Sequence, residues 1–389
     1  MTRERTPSSK MMKSANQQKV LHLIFSEGPI SRVELAEKSG LTQQTVTNIV
    51  NRLLQDDIVK EGEPAESPVG RKRVPLTVNA SSLYAIGIEV AGKYIRGALH
   101  NFHYHRLGRA ERRIQKLQDG SHALELIQSV IDELLEQAPD PERLKGIGLS
   151  VQGLVDSGQG VVLRPPGLGW TPLSLRKPLE SRYGLPVYTE NDVNLLSLYE
   201  NMNGCLAGSS NNITLKFDWG IGGAIMADNR LITGSTFVAG EFGHYKSFSG
   251  EDLYTCHCGA AGCLTTLASI SGLSSNLGMS LEAFEADCFS EDPSYREIFN
   301  KVQDAIRLAV GNLITFLNPD HVMITGRYME AFSDTLVPDL FSSIPSLVPE
   351  TCRNVNLIHL REMPEETELA VGLVIKHMFD PVLQVRLHS

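Results

Sequence analysis

The sequence is poor in what would place it outside the cytoplasm or in a membrane. It has six cysteines in 389 residues, too few for a disulfide scaffold in a chain of this length. No apolar run approaches the roughly 18 residues that would cross a bilayer. The opening stretch, residues 1–18, is polar and basic with no apolar segment behind its charges, so neither a secretory signal nor an anchor is expected. A cytoplasmic protein with no membrane partner is the expectation. At this length two or three domains are expected rather than one core.

The charge is unevenly shared. Residues 1–80 hold 12 Lys+Arg against 9 Asp+Glu, while the rest holds 24 against 36. A mildly basic head on an acidic body is the asymmetry expected when only the head approaches a polyanion.

The head reads as a helix-turn-helix. Val20, Leu21, Leu23, Ile24 and Phe25 make a short amphipathic helix that ends at Gly28-Pro29. Ser31 and Glu34 form a capping box that opens a second helix. Gly40-Leu41 makes a tight turn, and Thr42 caps a third helix over residues 43–54. On it Val46, Ile49, Val50, Leu53 and Leu54 share one face, leaving Gln43, Gln44, Thr45, Thr47, Asn48 and Asn51 outward. Gln and Asn bond adenine edges bidentately and Thr touches thymine methyls or phosphates, which suits a major groove. The alternative for this face is the solvated side of a small bundle, and a second nucleic-acid signal after the third helix favours recognition. Two strands follow, residues 58–62 and 73–78, and the limb between them carries Gly70-Arg71-Lys72-Arg73. This is the wing, whose cations would meet phosphates or a narrow minor groove. The domain boundary falls near Asn79-Ala80-Ser81, giving a winged helix-turn-helix over 1–80 and a second domain over 81–389.

The body alternates strands and helices in two rounds. Strands at 84–90, 94–99 and 146–151 flank a helix at 122–137; strands at 213–217, 220–225 and 322–325 repeat the theme. Two α/β lobes with a ligand cleft are expected. The strongest local signal is Cys256-His257-Cys258-Gly259-Ala260-Ala261-Gly262-Cys263. Three thiolates and one imidazole make a closed tetrahedral zinc set, with the two glycines letting the loop fold back. His257 lies between two ligands and would have to point away from them, so His244 is the expected fourth. One structural Zn²⁺ per chain follows. Cys205, Cys288 and Cys352 are expected to be plain packed thiols.

Glu241-Phe242-Gly243-His244 ahead of the Cys-rich loop resembles the signature of the ROK family of repressors, open reading frames and sugar kinases, including its xylose- and N-acetylglucosamine-responsive repressors. Gly153–Asp156, Gly167-Leu168-Gly169-Trp170, Glu190–Asn194, Gly220–Gly223 and Asn318-Pro319-Asp320 occur in family order. The resemblance implies a two-lobed α/β sugar-kinase-like fold of the actin and hexokinase type. It also implies that Asn191 and Asp192 hold a sugar, Asp192 at the position of the kinases' base, that Glu241 bonds sugar hydroxyls, and that His244 ligates zinc.

Departures from the kinase pattern favour a regulator. The first phosphate turn reads Glu89-Val90-Ala91-Gly92-Lys93, the second begins Asp218-Trp219, and Arg327 replaces a family glycine. Added side chains and a carboxylate obstruct close approach of phosphate to backbone amides. Gly167 and Thr265 stand where the family has two further sugar contacts. The expectation is a non-enzymatic, sequence-specific repressor of sugar-metabolism genes, bound to double-stranded operator DNA as a dimer or tetramer and controlled by a small sugar. The alternatives are a sugar kinase with a DNA-binding head, and a regulator that is constitutive or answers to a protein partner.

Overall fold

The computed structural model describes residues 9–64, 73–114, 119–164, 172–250, 253–288 and 293–379. The chain divides into two compact units, one made of residues up to Glu190 together with those from Glu366, the other of Asn191–Glu365.

The first unit opens with helix α1 (Ser9–Glu27), strand β1 (Ile30–Ser31), helices α2 (Arg32–Ser39) and α3 (Gln43–Gln55), and strands β2 (Val59–Glu61) and β3 (Pro75–Val78). Helix α1 is longer than its apolar pattern suggests, because no Gly or Pro interrupts residues 9–27 and the segment is rich in good helix formers. The capping box is formed: the Ser31 side chain accepts from the Glu34 amide, and the Glu34 carboxylate accepts from the Ser31 amide at 2.9 Å. Gly40 closes α2 in the left-handed region at φ 67°. Val20, Leu21, Ile24, Ile30, Leu35, Val46, Ile49, Val50, Leu53, Val59 and Leu76 are buried together as a small core. The three strands form one antiparallel sheet in the order β1-β3-β2. The returning strand begins at Pro75 rather than at residue 73, and β1, which the sequence reading missed, pairs Ile30 with Leu76.

The same unit continues with β4 (Tyr84–Val90), β5 (Tyr94–Asn101), β6 (Arg106–Arg113), α4 (Gly120–Glu136), β7 (Leu144–Val151), β8 (Leu154–Asp156), β9 (Val161–Arg164), β10 (Leu173–Ser174), α5 (Arg176–Tyr183) and β11 (Val187–Asn191). Strands β11-β7-β4-β5-β6 make a five-stranded sheet. Its core is aliphatic, with Ile86, Ile88, Ile127, Val130, Ile131, Leu149 and Leu179 all buried. The C-terminal helix (Glu366–Phe379) lies against this sheet with no clearance. A Cβ on Gly87 would stand 1.9 Å from the Thr367 carbonyl oxygen, and one on Gly148 1.9 Å from that of Ala370. At its start Ser150 donates to the Glu366 carboxylate at 2.7 Å. At its end the Phe379 ring stacks on Phe25 of α1 at 4.3 Å, and His22 Nδ1 lies 3.2 Å from the Phe379 carbonyl oxygen. Arg143 pairs with Asp57, which also accepts from Asn79 Nδ2 at 2.8 Å. The helix-turn-helix is thus packed on the first lobe through the last helix.

The second unit holds α6 (Asp192–Asn203), β12 (Asn212–Phe217), β13 (Ile221–Ala227), β14 (Arg230–Leu231), a single turn α7 (Ile270–Gly272), α8 (Leu281–Cys288), α9 (Pro293–Leu317), β15 (His321–Thr325), α10 (Arg327–Ala331), α11 (Leu336–Leu347) and β16 (Asn356–Leu360). Its sheet runs β14-β13-β12-β15-β16, antiparallel between β12 and β13 and parallel from β12 through β15 to β16. Helices α9 and α11 and the aromatic group Phe284, Phe299, Tyr328 and Phe332 fill its core. Among the described residues no helix is long and apolar enough to cross a membrane.

Candidate nucleic-acid interface, metal centre and effector site

Helix α3 starts where the Thr42 side chain accepts from the Thr45 amide at 3.2 Å. Val46, Ile49, Val50 and Leu53 are buried and fix the helix on its core; Leu54 is only partly covered. The opposite face carries Gln43, Gln44, Asn48 and Asn51, all exposed, with Thr45 and Thr47 half-buried beside them. Gln44 Nε2 donates to Asn48 Oδ1 at 3.3 Å, and the Thr47 hydroxyl donates to the Gln43 carbonyl at 2.8 Å. Local bonds of this kind hold the amides in a fixed row without covering them. In the wing, exposed Arg73 lies 3.6 Å from Glu34 of α2; Arg71 and Lys72, also expected there, lie outside the described residues. Arg52, exposed in the last turn of α3 with its Nε 3.4 Å from the Asn48 carbonyl, is a further cation on this helix that the sequence reading did not single out.

In the second unit the Cys-rich loop is folded by its own backbone. Cys256 N–H donates to the Ala260 carbonyl at 2.8 Å and Gly259 N–H to the Cys256 carbonyl at 2.9 Å. Gly262 has φ 75°, and a Cβ there would stand 2.4 Å from the Phe248 carbonyl oxygen, so only glycine allows this turn. The result brings His244, Cys256, Cys258 and Cys263 together with all ligand atoms within 4.8 Å of one another. Cys258 and Cys263 sulfurs are 3.7 Å apart, and Cys256 Sγ is 3.5 Å from His244 Nδ1. A Zn–S bond of about 2.3 Å in a tetrahedron separates ligands by about 3.8 Å, so these residues fit a zinc ion. His257 is exposed at the rim, 3.7 Å from Cys256 Sγ, and is not part of the four. Lys246 Nζ lies 2.7 Å from Cys263 Sγ, which sets a cation beside the four ligands. Burial first, then His257 and Lys246, hold the His244 imidazole below its ordinary pKa, which favours the neutral form a metal takes. Its Nε2 is 3.6 Å from Glu241 Oε2.

Asn191 and Asp192 stand at the start of α6. Asn191 caps the helix, its Oδ1 accepting from the Val193 and Asn194 amides at 3.0 and 3.1 Å, so part of its side chain is committed to structure. Asp192 Oδ2 lies 3.1 Å from Lys216 Nζ. The Glu241 carboxyl is pushed above its ordinary value, by desolvation first and by the Asp192 charge second. Lys216, the ion partner, was read from the sequence only as part of a strand; its signal was a lone charge among uncharged side chains. Thr265 is turned inward, buried, and donates to Ser269 Oγ at 3.1 Å. Gly167–Trp170 lie outside the described residues.

The turns at Glu89–Lys93 and at Asp218–Trp219 lie one in each unit. In the first, Glu89 is buried and accepts from Tyr94 Oη at 2.8 Å and Arg96 Nη1 at 3.2 Å; burial and this carboxylate push the Tyr94 hydroxyl up to about 12. Val90–Tyr94 is an ordinary hairpin turn closed by Ala91 N–H to the Tyr94 carbonyl at 3.1 Å. In the second, Asp218 Oδ1 accepts from the Trp219 amide at 2.7 Å and Oδ2 from the Arg327 amide at 3.4 Å. The carboxylate thus takes one amide from its own turn and one from the start of α10. Trp219 projects from it, 65 % exposed.

The profile of the ROK family matches residues 85–368, and that of winged helix-turn-helix DNA-binding matches residues 13–60. The chain is 30 % identical over 337 residues, 82 % of its length and 84 % of the relative's, to the putative xylose repressor of Caldicellulosiruptor sp. (strain Rt8B.4). A crystal structure of a ROK family transcriptional regulator, described as a homolog of the E. coli MLC protein, superposes with a TM-score of 0.82 at 25 % identity, over 97 % of this chain and 99 % of that one. A ROK hexokinase from Thermus thermophilus, 20 % identical with a TM-score of 0.61 over 78 % of this chain and 99 % of its own, shares the fold.

Proposed function

Because the chain belongs to the ROK family, we propose that it is a DNA-binding transcriptional repressor of sugar-metabolism genes whose hold on its operator is set by a small sugar. The observation that carries the reading is the uncovered row of Gln43, Gln44, Asn48 and Asn51 on α3, joined to a wing and to a sugar-kinase-like body. Residues 1–80 form the DNA-binding domain and 81–389 the effector-binding and oligomerisation domain. Helix α3 enters a major groove, where Gln44 and Asn48 read base edges and Arg71, Lys72 and Arg73 of the wing engage the backbone. One such helix reads few base pairs, so the protein acts as a homodimer on a twofold site.

His244, Cys256, Cys258 and Cys263 would hold one structural zinc ion, which supplies a closed cross-link to the segment carrying Glu241. Asn191, Asp192, Glu241 and His244 receive the sugar, the carboxyls accepting from its hydroxyls. Phosphoryl transfer is lost. The reaction depends on preorganised amides around the moving phosphoryl group, and Asp218 already takes up the Trp219 amide while Glu89 is locked in an ion pair.

Selection of bound duplexes from a random library, followed by binding titrations, tests the reading. A twofold consensus is expected, with Gln44→Ala and Asn48→Ala each weakening it by about 1–3 kcal/mol while random DNA is bound nearly as before. Absence of any enriched sequence would overturn it.

A further inference from the structure

Strand β12 carries one charge among its otherwise uncharged side chains, at Lys216. Leu215 and Phe217 on either side point into the unit's core. By strand alternation Lys216 projects from the opposite face, where its ammonium meets Asp192 Oδ2 at 3.1 Å. The other oxygen, Oδ1, accepts from Asn191 Nδ2 at 3.1 Å. The two charged side chains are only 12 % and 15 % exposed. A charge held this far from water is costly unless compensated, and here the compensation falls on the very carboxylate assigned above to the effector.

We propose that Lys216 is a specificity-determining residue of the effector site: it neutralises Asp192 so that the site accepts an uncharged sugar and refuses sugars bearing phosphate or ammonium. The inference rests on the reading that Asp192 and Glu241 hold a sugar. A phosphorylated sugar would bring a further anion beside the Asp192 carboxylate, whose cation is already engaged and which is only 15 % exposed, and like charges so little exposed to water repel strongly. An amino sugar would meet the Lys216 ammonium, and would find the Asp192 charge already satisfied. An uncharged sugar meets neither penalty, and its hydroxyls need only acceptors that are held still. Lys216 and Asn191 hold the Asp192 carboxylate in one orientation.

The test is calorimetric titration of the full-length, zinc-loaded protein with xylose, glucose, glucosamine and glucose 6-phosphate, below neutral pH so that glucosamine is protonated. The wild type is expected to bind xylose or glucose and neither charged sugar. Lys216→Met is expected to raise the affinity for glucosamine relative to glucose by about tenfold or more, the scale of one uncompensated charge. Lys216→Arg is expected to retain the wild-type order, and the double variant Lys216→Met with Asp192→Asn to show no gain for glucosamine. Should Lys216→Met fail to fold, Lys216→Gln supplies the same ratio. A wild type that prefers glucose 6-phosphate, or an unchanged ratio in the Lys216 variants, overturns the inference and leaves the sugar site standing. If no sugar binds the wild type, the sugar site and the inference fall together.

Discussion

Single residues decide whether the metal loop and the sheet packing can exist. Replacing Cys263, which is fully buried, with Ser removes a soft ligand from a closed set. Zinc content measured by elemental analysis should fall from about one ion per chain to near zero, and freshly purified wild type lacking zinc would refute the site. Gly148 makes a different kind of demand. A Cβ there would meet the Ala370 carbonyl oxygen at 1.9 Å, a backbone atom that cannot rotate aside. Gly148→Ala should therefore lower stability to denaturant by about 1–3 kcal/mol through overpacking. Equal midpoints for the two proteins would show that the C-terminal helix yields freely. The cysteines and His244 were legible in sequence because metal chemistry leaves a dense, ordered signature. Gly148 was not, since a glycine in an apolar strand announces close approach without saying what approaches.

Elements behave likewise. Helices α2 and α3 were readable because their start signals are local: Ser31 with Glu34, Gly40, and Thr42 each act within four residues. Strands β8, β9 and β10 were missed, being two to four residues long and too short to show an alternation. The contact between α1 and the C-terminal helix was also invisible, as more than 350 residues separate Phe25 from Phe379. That contact has a testable consequence. The stacked Phe25–Phe379 pair and His22 tie the DNA-binding helices to a helix whose first residue, Glu366, is bonded to Ser150 of β7. Phe379→Ala should loosen this tie, so that the shift in operator affinity on adding sugar shrinks from an ordinary allosteric coupling of about 1–3 kcal/mol toward zero. Sugar affinity should stay close to wild type. A full-sized shift in the variant would place the coupling elsewhere.

At the scale of the whole molecule the same body fold serves kinases and regulators, so fold alone does not assign activity. With ATP and a panel of sugars the protein should form no sugar phosphate, because the Asp218 carboxylate is held against the Trp219 and Arg327 amides. Robust product formation, lost in Asp192→Asn, would make it an enzyme. In the operator assay Asp192→Asn should abolish the response to sugar while leaving sugar-free DNA binding nearly unchanged.

The first unit is discontinuous along the chain: its last helix follows the entire second unit. During synthesis, then, the strands on which that helix packs are made well before it, and the ribosome must deliver about 175 intervening residues first. The face of the sheet at Gly87 and Gly148 is finally covered only when residues from Glu366 onward emerge, which leaves that face open for many seconds at ordinary elongation rates. A message cut short anywhere before Glu366 would yield chains with DNA-reading helices but no seat for them. Such fragments would be prey for chaperones and proteases, and the cell would be spared a repressor that could no longer hear its signal.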